Sequence, residues 1–355
     1  MPTRYLFGTI LTGEAVAANN RGDNLGNTTT LQKVFVGDDL HTSVSAEAIR
    51  FAFRYRFQLE GLPVNRTYNA DKGVLAYADE KHIQWDAAKV ENFIDDDLMG
   101  FMLAEAAKSE SEEEAETEGE PPSDRPDEAR KGGPKKPKDE LATPKKPKDE
   151  GATPKKPKGK TTKRQSPLAV GRAVSLRPYR GEISYNCVSG AKEEGALSLY
   201  AAEMHTTEYQ YTFGLNLNDV ADKANIGHLI DAIVDPPPVA GNHARFSYDF
   251  SPATVIFRLT DCHSPKIQNC FEHDEKTRGY SLNGLIGRVK CGDVPGNELV
   301  VGGLVDDTEF AKGLKEAGAT VFPGVLQAAI KVKQLIVGNG SPLDVVSKNA
   351  KEPQS

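Results

Sequence analysis

Asp95-Asp96-Asp97 is one place where residue types and spacing could support chemistry. Grouped carboxylates can hold the divalent cations that hydrolyse phosphodiesters. The geometry argues against that use, because a strand sends alternate members to opposite faces and a helix spreads them around its axis. A capped helix start ahead of Leu98-Met99 is the better reading. Cys262, His263, Cys270 and His273 are zinc-type ligands, but their spacing matches no common zinc module. The chain has no P-loop, no G-x-S-x-G and no dinucleotide fingerprint. No cofactor and no metal are expected. Arg50 and Arg54 suggest a different chemistry. They stand one helical turn apart and could both reach one phosphate track, while Ser45 sets a hydroxyl beside the free N–H groups of a helix start. On the helix alone, these arginines could equally pair with Glu47 or face solvent.

These residues need elements to hold them. Ser43 or Ser45 can cap a helix running to about Leu59, with Ala46, Ile49, Phe53 and Phe57 on one face and Glu47, Arg50 and Arg54 on another. Tyr5 to Leu11 reads as a buried strand, followed by a polar loop from Asn19 to Asn27 and a short strand over Leu31–Val36. Ala169–Leu176 is strand-like. Tyr209, Tyr211, Phe213, Leu215 and Leu217 alternate with polar neighbours, which predicts a half-buried strand. The pattern predicts a helix over Val220–Val234, stopped by Pro236-Pro237-Pro238, and a strand over Thr254–Leu259. Asp306 with Glu309 forms the pattern of a capping box for a helix through Ala317, and Pro323 can open a last helix carrying Leu326, Ile330 and Val332. The mixture predicts an α+β fold on an antiparallel sheet.

One stretch of the 355 residues stands apart. From Glu105 to Ser166 a Glu-rich run gives way to prolines and then to a Lys/Pro repeat. Thr143-Pro144-Lys145-Lys146-Pro147-Lys148 returns at Thr153-Pro154-Lys155-Lys156-Pro157-Lys158. Such composition has almost nothing apolar to bury and predicts disorder, as does the polar tail 339–355. It could act as an electrostatic tether for nucleic acid or be a tolerated loop expansion. Its charges nearly balance, so the net −7 belongs to the body, and any nucleic-acid site must be a local basic groove. No apolar run is long enough to span a bilayer, and Met1-Pro2-Thr3-Arg4-Tyr5 lacks the shape of a secretory signal. No membrane partner and a cytoplasmic location are the default expectations. The four cysteines, Cys187, Cys262, Cys270 and Cys291, suggest no disulfide framework.

Three segments together resemble the backbone-subunit family of type I CRISPR surveillance (Cascade) complexes, in its DevR lineage of type I-B systems. The first runs Asn19-Asn20-Arg21-Gly22-Asp23, Leu31-Gln32-Lys33, then Ser43 through Arg54. The second is Phe93 through Met102, continued after the insertion by Ser166-Pro167-Leu168 and Ala173-Val174-Ser175. The third is Glu203 through Tyr211 with Gly241-Asn242-His243-Ala244-Arg245.

The resemblance implies a ferredoxin-like (RRM-like) palm with helical finger insertions over 1–104 and 167–338. It implies a β-hairpin thumb within 180–209, the insertion at 105–166 and a flexible tail at 339–355. It also implies a non-catalytic protein that binds CRISPR RNA and stacks on neighbouring copies of itself. Such a protein presents the RNA to a target DNA strand alongside the 5′-handle-binding, large and small subunits, in antiviral defence. The matched positions imply RNA contacts from Asn20, Arg21, Lys33, Ser45, Arg50, Arg54, Asn242, His243 and Arg245, with Met102 near a displaced base. A subunit that must hold any spacer should contact phosphates and sugars rather than base edges. The enzymatic alternative is a metal-dependent ribonuclease like the type III relatives, which cut with an acidic loop residue, and Asp23 lies in a comparable loop. A transcriptional regulator is a further alternative, although no helix-turn-helix is visible.

Overall fold

The computed structural model describes residues 4–18, 24–26, 28–89, 91–104, 161–187, 199–239, 248–277, 279–304 and 308–338. Asn20, Arg21, Asp23, Asn242, His243 and Arg245, the bulk of the Lys/Pro-rich insertion and the tail lie outside them. The chain divides into one unit of residues 1–101 with 164–355 and a second of 102–163.

The larger unit is built on a nine-stranded sheet. Its strands are β1 (Tyr5–Thr12), β2 (Lys33–Val36), β3 (Asp39–Val44), β4 (Leu168–Val170), β5 (Ala173–Ser175), β6 (Tyr209–Asn216), β7 (Pro252–Thr260), β8 (Leu299–Gly302) and β9 (Thr320–Phe322). The order is β9-β8-β7-β1-β6-β5-β3-β2, and β4 also pairs with β6. All pairings are antiparallel except β8 with β9. β1 lies at the centre, with Leu6 opposite Leu215 and Leu259, and Ile10 opposite Tyr211 and Val255.

β1 is buried along nearly its whole length because both of its faces are covered. Leu6 and Ile10 join one core with α1 (Ala46–Leu59), α3 (Ala224–Val234) and α6 (Val325–Ile336). Phe7 and Leu11 join a second core with α4 (Asn283–Lys290) and α5 (Glu309–Glu316). β6 alternates buried and half-buried residues as its sequence predicts.

α1 follows its reading closely. Ser45 is the cap, its Oγ accepting from the Ala48 N–H at 3.2 Å, and Ile49, Phe53 and Phe57 are buried. Burying each such side chain contributes about 1.5–3 kcal/mol. Three expectations need correction. Ala169–Leu176 is two short strands interrupted at Gly171-Arg172. The helix ahead of the triple proline begins at Ala224 rather than Val220. Thr308, not an Asp306–Glu309 box, caps α5, accepting from the Ala311 N–H. The last helix is present and carries Leu326, Ile330 and Val332, with Val332 buried and Leu326 exposed.

Asp95, Asp96 and Asp97 form the first turn of α2 (Ile94–Met99), and Phe93 at the cap position supplies no side-chain bond. The expected helix start is present without its expected cap. All three carboxylates are buried, each tied to a different part of the chain. Asp95 accepts from the Asn65 N–H at 2.7 Å, Arg54 Nε at 3.2 Å and Arg66 Nε at 3.1 Å. Asp96 accepts from Asn65 Nδ2 at 2.9 Å and lies 2.9 Å from His82 Nδ1, whose ring stacks on Phe101 at 3.7 Å. Asp97 accepts from the N–H groups of Ala221 and Asp222, from Asn225 Nδ2 and from Arg164. The three form a polar knot that fixes α2 against its surroundings. Among the described residues, no group of three His, Cys, Asp or Glu side chains could hold a metal ion.

Candidate nucleic-acid interface

β6 continues through Glu208 into a longer strand, Leu199–Thr207, which pairs with Glu182–Cys187 as an antiparallel hairpin. The longer strand also pairs with Ala15–Ala17, antiparallel at its root, and with Thr28–Thr29, in parallel further along. Ile183 and Tyr185 are exposed on the hairpin, Tyr185 at 80%.

Where the hairpin meets the sheet, two adjoining depressions of about 190 and 340 Å³ share His273. The first holds Arg177, Arg180, Glu182 and His205, and the second His41, Ser175, Gln210 and Asn269. Several of the polar groups are already committed. Arg177 clamps Glu14 with two bonds of 2.7 and 2.8 Å and reaches Glu208 at 3.0 Å. His41 Nδ1 meets Ser175 O at 2.7 Å, and His205 Nδ1 meets Thr42 Oγ1 at 2.8 Å. Burial, with His41 and Arg177 nearby, pushes the His205 imidazole down to about 4 and so keeps it neutral near pH 7.

Other groups remain available. Gln210 spends its Nε2 on Phe271 O, which leaves its buried Oε1 without a donor. His273 Nδ1 is likewise buried without a partner. Arg180 is exposed and forms no ion pair among the described residues. Arg172, exposed between β4 and β5, bonds only neutral oxygens, Gln32 Oε1 and Ser43 Oγ. Buried polar atoms without partners beside a depression call for a ligand or water to complete them. The mix of unspent acceptor, imidazole and arginine suits ribose hydroxyls and phosphates.

The residues singled out from the sequence fare differently. Lys33 lies at this root, ion-paired to Glu203 with its ammonium 4.8 Å from the Tyr179 ring centre. The Ser45 oxygen is occupied as the helix cap. Arg50 and Arg54 turn inward, not along an open phosphate track. Arg50 donates to Met99 O at 2.7 Å and Leu168 O at 3.2 Å, and Arg54 pairs with Asp95. Burial, then Arg66 beside it, holds the Arg54 guanidinium down to about 10, still charged near neutral pH. Met102 is 73% exposed. Of the zinc-type set, His263 bonds the Tyr5 hydroxyl and Cys270 is buried in the second core. Sequence reasoning missed Arg172, Arg180, Gln210 and His273. The one available signal was Arg177-Pro178-Tyr179-Arg180, two basic residues around an aromatic just before the hairpin.

No family model matches the chain. Two solved structures share its fold, both described as a CRISPR RNA-guided surveillance complex, the second in a pre-nicking state. The first has a TM-score of 0.51 at 12% identity, covering 92% of this chain and 98% of that one. The second has a TM-score of 0.56 at 13% identity, covering 94% and 100%. A curated protein of Myxococcus xanthus (strain DK1622), the CRISPR-associated protein Cas7/Cst2/DevR, is 36% identical over 332 residues, which span 91% of this chain and 95% of the relative. A match of that identity, running nearly end to end on both sides, means that this chain belongs to the Cas7/Cst2/DevR family of CRISPR-associated proteins.

Proposed function

We propose that this protein is a non-catalytic CRISPR RNA-binding backbone subunit of a type I-B surveillance complex. Copies stack head-to-tail along the spacer and leave its bases free to pair with target DNA. The observation that carries the reading is the hairpin root, where Arg180, Gln210 and His273 keep polar groups unspent beside a groove on a chain of this family. The order β7-β1-β6-β4, with α1 after β1 and α3 after β6, supports a ferredoxin-like palm. RNA contacts are assigned to Arg172, Arg180 and Lys33 and, beyond the described residues, to Asn20, Arg21, Asn242, His243 and Arg245. Met102 is assigned to the displaced base, where apolar contact tolerates any sequence. Ser45, Arg50 and Arg54 act indirectly, by holding the helix that backs the sheet. Other subunits of the complex and the 5′ handle of the RNA complete the assembly.

The test is nuclease-protection mapping of RNA that co-purifies when the protein is expressed with a CRISPR array. The expected result is protection along the spacer with regularly spaced exposed nucleotides. Discrete, magnesium-dependent cuts that vanish in Asp23→Ala would replace this reading with a ribonuclease.

A further inference from the structure

A cavity of about 450 Å³ lies away from the hairpin root, beside α2 and the start of α3. Its volume falls in the roughly 300–1,000 Å³ range of ligand pockets. Pro63, Trp85 and Phe93 line its apolar part, and Glu91, Asp96 and Asp222 are its carboxylates. Among the described residues no lysine or arginine lines it, and His228 is its one imidazole. Asp96 is 1% exposed, and its Oδ1 has no hydrogen-bond donor, with Arg66 NH2 no nearer than 3.8 Å. A buried carboxylate oxygen left open is costly unless something completes it. Trp85 already carries the Arg164 guanidinium 4.5 Å from its ring centre, so this indole tolerates a planar cation on its face.

We propose that this cavity receives the cationic side chain, arginine or lysine, of a neighbouring protein subunit. The carboxylates repel phosphate, which disfavours nucleic acid as the occupant. The carboxylates do not converge as metal ligands. Apolar walls around an acceptor suit an aliphatic stem ending in N–H donors. This inference does not depend on where RNA binds.

Trp85 is the single tryptophan of the chain, so intrinsic fluorescence reports directly on the cavity. The full-length protein is titrated with the capped peptide acetyl-Gly-Arg-Gly-amide, with its neutral citrulline counterpart and with butylguanidinium. The arginine peptide is expected to give a saturable change and the citrulline peptide none. In the Glu91→Gln/Asp222→Asn double variant, where Asn keeps the oxygen that accepts from the Ala224 N–H, binding should weaken about fivefold or more. Asp96→Asn should abolish it, and if that variant does not fold the double variant decides. Equal responses to arginine and citrulline, or an unchanged titration in the double variant, would overturn the proposal. Binding of butylguanidinium but not of the peptide would also overturn it, because the occupant would then be a free small cation rather than a side chain on a polypeptide.

Discussion

Arg54 and Arg180 show how a basic residue's role depends on its surroundings. Arg54 is a largely covered partner of the fully buried Asp95, and removing it leaves that carboxylate with Arg66 as its one cationic partner among the described residues. Arg54→Ala is expected to cost about 1.5–3 kcal/mol in urea unfolding, the worth of one hydrogen bond to a charged group. A small stability change with a reduced salt dependence of RNA binding would make it a phosphate ligand instead. Arg180→Ala and Arg172→Ala should behave in the opposite way. Each should lower the salt slope of single-strand binding by about 0.7 for every phosphate it no longer neutralises, equally for every spacer. His205 makes a pH prediction. Its folded value of about 4 lies below its ordinary 6.5, so the unfolded chain takes up the proton first. Its contribution is fully present above pH 6.5 and is lost as pH falls toward 4. At pH 5 the loss is about 2 kcal/mol, and His205→Gln should flatten it when urea midpoints are compared at pH 7 and 5.

α2 is only six residues long, too short to be stable by its own propensity. Its three aspartates hold it through bonds to segments distant in sequence. Gly100 then ends it at φ +64°, in a space where a Cβ would sit 2.4 Å from Arg164 O. Both the positive φ and the close approach exclude a side chain. Gly100→Ala should therefore destabilise the protein by about 2 kcal/mol or more, read from the thermal midpoint, while Gly73→Ala, with nothing near its Cβ, should cost only its backbone strain.

In the larger unit, a nine-stranded sheet packed against helices continues at one end of β6 into the hairpin. Phe101–Ala104 and Thr161–Arg164 pair as a two-stranded sheet flanking the Lys/Pro-rich stretch. Joining the chain across that stretch by deleting residues 110–158 should leave the unfolding midpoint and RNA occupancy unchanged. Loss of RNA with the midpoint retained would assign the repeat a binding role. Among the described residues, no helix is long and apolar enough to cross a membrane.

The sequence alone determined what local pattern controls. The capped amphipathic helix after Ser45 and the alternating strand from Tyr209 follow from short-range periodicity, and the family was visible in the order of its segments. Tertiary structure decided what each polar side chain meets. Arg50 and Arg54 share a helix face that reads as solvent-facing, yet Asp95 and the carbonyls of Met99 and Leu168, far along the chain, turn them inward. The root groove was invisible for the same reason: Arg180, Gln210 and His273 are brought together only by strand pairing and the loop that follows β7. Sequence spacing records neighbours along the chain, whereas the free energy of a buried charge or an unpaired donor depends on neighbours in space.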